Sequence, residues 1–403
     1  MKNNFVNILD FGSGKITCMA ATKVSDDGEF VIKAVGQTNY NGFDDNAWYE
    51  PNTIKDAIEG AIRQVEEKTK TSINNLYVGV PGAFCAVATS EASIIYRSKT
   101  KLDQNDVNEI VKKADIYGCG ADYTPLGGKP VYFIIDGAIK TTDAVGTIAS
   151  KLTGLVSFSY MKNYFKKTVS RALSNIGITN VTYFNACDAQ AKYVAQQMRC
   201  TDHCIVIDVG HLTTTVSLCG GNALLFERSF ALGSAYLGSD LMQVLGCDFP
   251  FAMQILEKVN LNLDVKNGDI YTVNGKAVDA HQANEVIKAR IQQISQYIVK
   301  SFSYCDKEIP RTTPIILTGG GLTYLRGGAD WLATQLCKPV RVYDSVNPQT
   351  KRNEYTSCYG LISEAIKTGT KSNGLFSFFR KEFAACMLSS CANVQANNIK
   401  NAF

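Results

Sequence analysis

Two stretches of the chain share one pattern of apolar and polar positions. Asn7–Met19 reads N-I-L-D-F-G-S-G-K-I-T-C-M, and Ile205–Leu218 reads I-V-I-D-V-G-H-L-T-T-T-V-S-L. Each is an apolar run ending in Asp, then x-Gly-x-x, then an alternating run with Thr, which predicts a strand, a tight turn and a second strand. After the first copy come the turn Asp26-Asp27-Gly28, a strand over Phe30–Gln37 and a helix over Thr53–Lys68; after the second come Gly220-Gly221-Asn222, a strand over Ala223–Ala231 and a helix over Ala235–Leu245. The chain is thus read as an internal duplication, with two lobes of α/β type.

The rest of the pattern fills in around these copies. Ile54, Ala57, Ile58, Ala61, Ile62 and Val65 make one apolar stripe on the first helix. Leu76–Val80 reads as a strand before Pro81-Gly82. Residues 86–160 form an insertion: short strands at Ser93–Arg97, Val131–Ile135 and Leu152–Ser159, and a helix N-capped by Asp103 with Val107, Ile110, Val111 and Ala114 inward. Helices follow at Met161–Ile176 and Asp188–Met198, with a strand at Val181–Phe184 between them. Later come a short helix at Ser239–Leu245, a long helix over Ala283–Cys305 with Ile287, Ile291, Ile294, Ile298 and Phe302 on one face, a helix at Trp331–Leu336, a strand at Val340–Tyr343 and a helix in Asn353–Lys367. Residues 368–373 read as a flexible linker. Gly374–Leu388, within a segment 374–389, sets Leu375, Phe376, Phe378, Phe379, Phe383 and Met387 on an apolar side with Arg380 and Lys381 at its edge, the pattern of an in-plane membrane helix on an anionic surface. Residues 390–403 are polar and read as disordered.

The chemistry concentrates in the two turns. Gly12, Gly14 and Gly210 leave backbone N–H groups open to an anion. Asp10 and Asp208, at the ends of equivalent strands, are placed to hold a hydrated Mg2+, and Lys15 and Thr213 to reach phosphate oxygens. One Asp-x-Gly is an ordinary turn; the paired copies carry the reading. A P-loop is excluded, since position 9 is Leu and position 16 is Ile. Asp10-Phe11-Gly12 spells a kinase signature, but no catalytic loop precedes it.

Composition narrows the function. At 403 residues each lobe has room for its own core, and a net charge of +4 gives no nucleic-acid footprint. The 13 Cys lie without C-x-x-C pairs, and three His make a metal site at Cys200, His203 and Cys204 an unfavoured reading. No secretory signal precedes the first strand and no uncharged apolar run of about 18 residues occurs. The expectation is a cytoplasmic protein with reduced thiols.

At this point the residues resemble a family. The turns look like phosphate-1 and phosphate-2 of the actin-like ATPases, and Ile315-Ile316-Leu317-Thr318-Gly319-Gly320-Gly321 resembles their adenosine motif. Within that superfamily the chain resembles the bacterial FtsA family over about residues 5–383, chiefly because of the insertion and the aromatic tail. The resemblance implies a two-lobed, duplicated ribonuclease H-like fold with an FtsA-type α+β insertion. It assigns 1–85 and 161–203 to the first lobe (1A), 86–160 to subdomain 1C, and 204–367 to the second lobe, with 2B about 248–310. It implies ATP and Mg2+ held by Asp10, Gly12, Ser13, Gly14, Lys15, Asp208, Gly210, His211, Leu212, Thr213, Gly233, Gly319, Gly320, Gly321 and Leu322. Asp188 and Gln190 become candidates for ordering the attacking water, although the family's usual Glu-Pro is absent. It also implies self-assembly into filaments at the division site on the inner membrane face, a contact between 2B and the C-terminal tail of FtsZ, helped by Lys288, Arg290 and Lys300, and contacts of 1C with later division proteins. His211, and Gly14 in place of a hydroxyl residue, depart from the family and imply slow turnover at best, with nucleotide acting as a conformational ligand. Two other readings stay open: a PilM-like adapter of a pilus or secretion machine, and a soluble actin-like ATPase.

Overall fold

The computed structural model describes residues 5–26, 28–44, 47–116, 121–200, 202–345 and 352–370. In chain order the elements are β1 (Val6–Phe11), β2 (Lys15–Lys23), β3 (Phe30–Asn39), α1 (Ile54–Thr69), β4 (Asn75–Val80), β5 (Cys85–Lys101), α2 (Gln104–Ala114), β6 (Tyr123–Ile135), β7 (Ile139–Thr141) and β8 (Ile148–Lys162). Then come α3 (Asn163–Asn175), β9 (Asn180–Asn185), α4 (Ala186–Gln197), β10 (His203–Val209), β11 (Thr214–Gly220), β12 (Ala223–Phe230), α5 (Ala235–Leu245) and α6 (Phe249–Lys258). The remainder is β13 (Ile270–Val273), β14 (Lys276–Asp279), α7 (Ala280–Phe302), β15 (Ile315–Thr318), α8 (Gly328–Leu336), β16 (Val340–Val342) and α9 (Thr356–Thr370).

The duplication is visible in the sheets. One has the order β3-β2-β1-β4-β9 and the other β12-β11-β10-β15-β16; in both, an antiparallel meander is extended by two parallel strands. The register repeats as well: Asp10 lies opposite Thr17, and Asp208 opposite Thr215. Period-two alternation decides which residue faces which layer. On β1, Leu9 and Phe11 enter a core closed by α1 and α3, while Ile8 faces α4 and α9. On β10, Ile205, Ile207 and Val209 join a core with α5 and α7, while Val206 faces α4 and α9. Asp10 and Asp208, in phase with Ile8 and Val206, therefore point toward the layer between the sheets. Chain order counts 353–367 with the second lobe; in the structure α9 packs on β1, β2 and β4 of the first sheet and against α4.

Phe11 fixes the first turn to its core. Its ring meets Phe165 edge-on at 5.3 Å and Trp48 at 5.8 Å, and Trp48 stacks on Phe84 at 4.8 Å. Such pairs add about 0.5–1.5 kcal/mol each beyond the area they bury.

The inserted residues make a separate sheet, β5-β8-β6-β7, with α2 on it and a core of their own. Its strands are much longer than the sequence pattern predicts. β5 runs for 17 residues and β8 for 15, so both continue from the first lobe into the insertion without a turn. Asp103 caps α2 as expected, in a reciprocal box with Asp106. Of the linker expected over 368–373, residues 368–370 instead end α9; 371–373, the aromatic segment 374–389 and residues 390–403 lie outside the described residues. Among the described residues no helix is long and apolar enough to cross a membrane, which says nothing of a β-barrel.

Candidate nucleotide cleft

The two turns are built alike. Gly12 N–H donates to Lys15 O at 3.0 Å, and Gly210 N–H donates to Thr213 O at 2.9 Å. They meet across the lobes. Ser13 Oγ accepts from Leu212 N–H at 2.9 Å and from Thr213 N–H at 3.3 Å. A Cβ on Gly14 would lie 2.6 Å from the His211 ring, so His211 lies directly over that glycine. Tyr40 Oη donates to Gly12 O at 2.7 Å and buttresses the first turn from β3's end.

Asp10 is buried and Asp208 partly buried, and both are held by the middle layer. Ser357 Oγ, on α9, donates to Asp10 Oδ1 at 2.8 Å; Gln190 Nε2, on α4, donates to Asp208 Oδ2 at 2.5 Å. Burial pushes the Asp10 carboxyl up to about 6, against the Ser357 hydrogen bond and reinforced by the negative field of Asp208. Burial raises Asp208 too, opposed by Gln190. A buried carboxyl in the field of a partly buried one fits a divalent cation, whose charge would remove the repulsion. Among the described residues no group of three or more His, Cys, Asp or Glu could hold a metal directly; the donor set suits a hydrated Mg2+ rather than a dehydrated ion.

The fit to a polyphosphate is partial. The small residues are present, but the amides expected to stand open are spent: Gly12 N–H and Gly210 N–H close their own turns, and the Leu212 and Thr213 amides are satisfied by Ser13. Lys15 is ion-paired with Glu354 at 3.3 Å. An anion entering here has to displace the Ser13 hydroxyl and share Lys15. His211 is held neutral: burial lowers it and the Lys15 charge adds to that, so its imidazole gives no fixed positive charge to a phosphate.

The structure gathers most of the sequence-derived residues, but not in the roles expected of all. Gly319 has φ +88° and no room for a Cβ, which would lie 2.2 Å from Asp208 Oδ1; Gly321 abuts Val209 O and Gly320 faces Glu354. These glycines let β15's end lie directly on the acid-bearing strand. Gly233 packs beneath the second turn, where a Cβ would meet His211 O at 2.4 Å. The helix spans Ala235–Leu245, as the duplication predicts, rather than starting at Ser239, and its first amides are spent: Ala235 N–H on His211 O, Tyr236 N–H on Gly233 O and Leu237 N–H on Ser234 O. Leu322 is fully buried in the second core and is no wall of the cleft. Gln190 reaches the cleft, but Asp188 does not. Its carboxylate is held 2.6 Å from Lys129 Nζ and accepts from Leu224 N–H at 3.2 Å. Of the basic residues in 248–310, Lys288 pairs with Glu285 at 2.9 Å and Arg290 grips Asp240 through two nitrogens at 2.5 and 2.6 Å, so neither stands free for an acidic peptide. Ser357, Glu354 and Tyr40 escaped the sequence reading. Tyr40 and the α9 residues have no motif and come to the cleft only through the tertiary fold.

No family model matches the chain. It is 27% identical over 335 residues to the cell division protein FtsA of Streptococcus pneumoniae, covering 79% of this chain and 70% of that protein. It is 24% identical over 334 residues to FtsA of Enterococcus faecalis, covering 77% and 72%. Among solved structures, a chain of the PilM–PilN type IV pilus biogenesis complex superposes with a TM-score of 0.58 at 12% identity, covering 90% of this chain and 98% of that one. MreB5 of Spiroplasma citri bound to AMPPNP superposes with 0.54 at 8% identity, covering 93% and 98%. By sequence the chain is a relative of the FtsA cell-division proteins, and its fold is actin-like.

Proposed function

We propose that the chain is an FtsA-type cell-division protein that binds Mg·ATP between its lobes and assembles on the inner face of the cell membrane. There it ties FtsZ filaments to the membrane, with the FtsZ tail received in the region 248–310 and later division proteins met through the inserted sheet. The observation that carries the reading is the meeting of two matched Asp-x-Gly turns from two matched sheets, in a chain whose sequence relatives are FtsA proteins. ATP turnover is slow or absent, because the amides of the second turn are occupied by Ser13. Nucleotide then acts by binding two conformations unequally. The segment 374–389, with its aromatic face and Arg380-Lys381 edge, anchors the protein to anionic lipid.

Co-sedimentation with anionic vesicles, with and without Mg·ATP, tests this on the full chain and on a 1–373 truncation. Pelleting that needs the tail and responds to Mg·ATP is expected. Failure of the full chain to pellet in any condition overturns the membrane tether. That result favours a second reading, a soluble adapter like PilM, which the superposition on the PilM–PilN complex supports at the level of fold.

A further inference from the structure

A buried charge cluster lies away from the cleft. Lys129, on β6 of the inserted sheet, places its ammonium 2.6 Å from Asp188 Oδ2 on α4 and 2.7 Å from Glu364 Oε1 on α9. Lys192, on α4, lies 2.8 Å from Glu364 Oε2 and 3.9 Å from Asp188. The second Asp188 oxygen accepts from Leu224 N–H of β12. The carboxylates are only 6% and 9% exposed, so each needs its cations: a buried charge that loses its partner is left uncompensated. Beside the cluster, a small cavity between Lys129, Ser157, Asn185 and Asp188 marks the seam of the inserted sheet with the lobes.

The same two helices hold the cleft acids. Gln190 lies two residues beyond Asp188 on α4 and bonds Asp208. Ser357 lies seven residues before Glu364 on α9, on the same side of that helix, and bonds Asp10. The α4–α9 pair therefore has the inserted sheet at one set of residues and both cleft carboxyls at another. We propose that Lys129 is a positioning residue that couples the inserted sheet to the cleft through α4 and α9, so that ligand at the cleft and docking of that sheet are thermodynamically linked. The nature of the cleft ligand rests on the function proposed above; the coupling itself does not. Linkage is reciprocal, so a partner that repositions the inserted sheet changes affinity at the cleft by the same factor.

Hydrogen–deuterium exchange on the full chain tests this. In the wild type, saturating Mg·ATP is expected to slow exchange several-fold at peptides around Asp10 and Asp208 and also in β6. In Lys129→Met the cleft peptides still respond and β6 does not; in Lys129→Arg the β6 response returns. Cleft protection without any β6 response in the wild type, or an equal β6 response in Lys129→Met, overturns the coupling. If Mg·ATP protects nothing, the nucleotide reading fails, and the coupling is read instead from Asp208→Asn without ligand. That change is expected to alter β6 exchange when Lys129 is present and not in Lys129→Met; no change at β6 in either background overturns it. Should Lys129→Met open the whole inserted sheet, Lys192→Met is the comparison. It removes the other ammonium, and the β6 response must survive; its loss overturns the specific part of Lys129.

Discussion

Ser13 and Asp10 show how much a single position decides. Ser13 accepts from two amides of the second turn, so on the proposed function it would compete with a phosphate for them. One hydrogen bond contributes about 1 kcal/mol, and Ser13→Ala is expected to raise Mg·ATP affinity about fivefold in a titration; a fall would mean that Ser13 serves the nucleotide directly. Asp10 sets a pH dependence. Its carboxyl lies at about 6 in the fold against 3.8 ordinarily, so the folded state binds this proton more tightly than the unfolded chain. The resulting stabilisation is complete below the ordinary value and is lost as pH rises through about 6. Asp10→Asn should therefore match the wild type in thermal midpoint below pH 3.8 and exceed it above about pH 6; an equal gap in both ranges would contradict the burial of that charge. Asp10 and Asp208 were legible because an apolar run ending in Asp-x-Gly is a local pattern. Their partners were not: Ser357 is 347 residues from Asp10, and Gln190 meets Asp208 only because α4 crosses between the sheets.

Among the elements, helices with a clean apolar stripe were read closely, although α7 begins and ends three residues before the stretch predicted for it. All six stripe positions predicted on α1 are buried, as are the four on α2. Strands of the inserted sheet were read too short, since β5 outside Ser93–Arg97 is made of small and polar residues and shows no apolar alternation. Two expectations follow from packing. Phe165, fully buried against Phe11, Trp48 and Phe84, holds the first turn from below. Phe165→Ala should cost about 3–5 kcal/mol in chemical denaturation and weaken Mg·ATP binding through the turn. Asp103 accepts from Asn105 N–H at 2.7 Å and Asp106 N–H at 3.2 Å. Asp103→Ala should speed amide exchange several-fold in α2 while leaving α1 unchanged; a uniform change would refute a local cap.

For the whole molecule, the duplication was legible and the layering was not. Two repeated strand patterns announced two equivalent sheets. Nothing in the chain order says that α9, the last described helix, returns to the first sheet and shares the middle layer with α4. That return brings Ser357 to Asp10 and Glu354 to Lys15, and it gives the cleft walls from both ends of the chain. It also turns Asp188, which the family resemblance made a candidate for ordering the attacking water, into an anchor for the inserted sheet. A cation held between Asp10 and Asp208 would tie one sheet to the other, which is how a ligand there could set the spacing of the lobes.

Equilibrium titration of the full chain with Mg·ATP tests the cleft most directly, comparing the wild type with Asp10→Ala and Asp208→Ala, each checked for an intact fold by its thermal midpoint. Saturable binding that weakens at least tenfold in both variants, and that disappears when Mg2+ is withheld, is the predicted result. Binding of equal strength in the wild type and both variants would contradict the assignment of the paired turns as the nucleotide site.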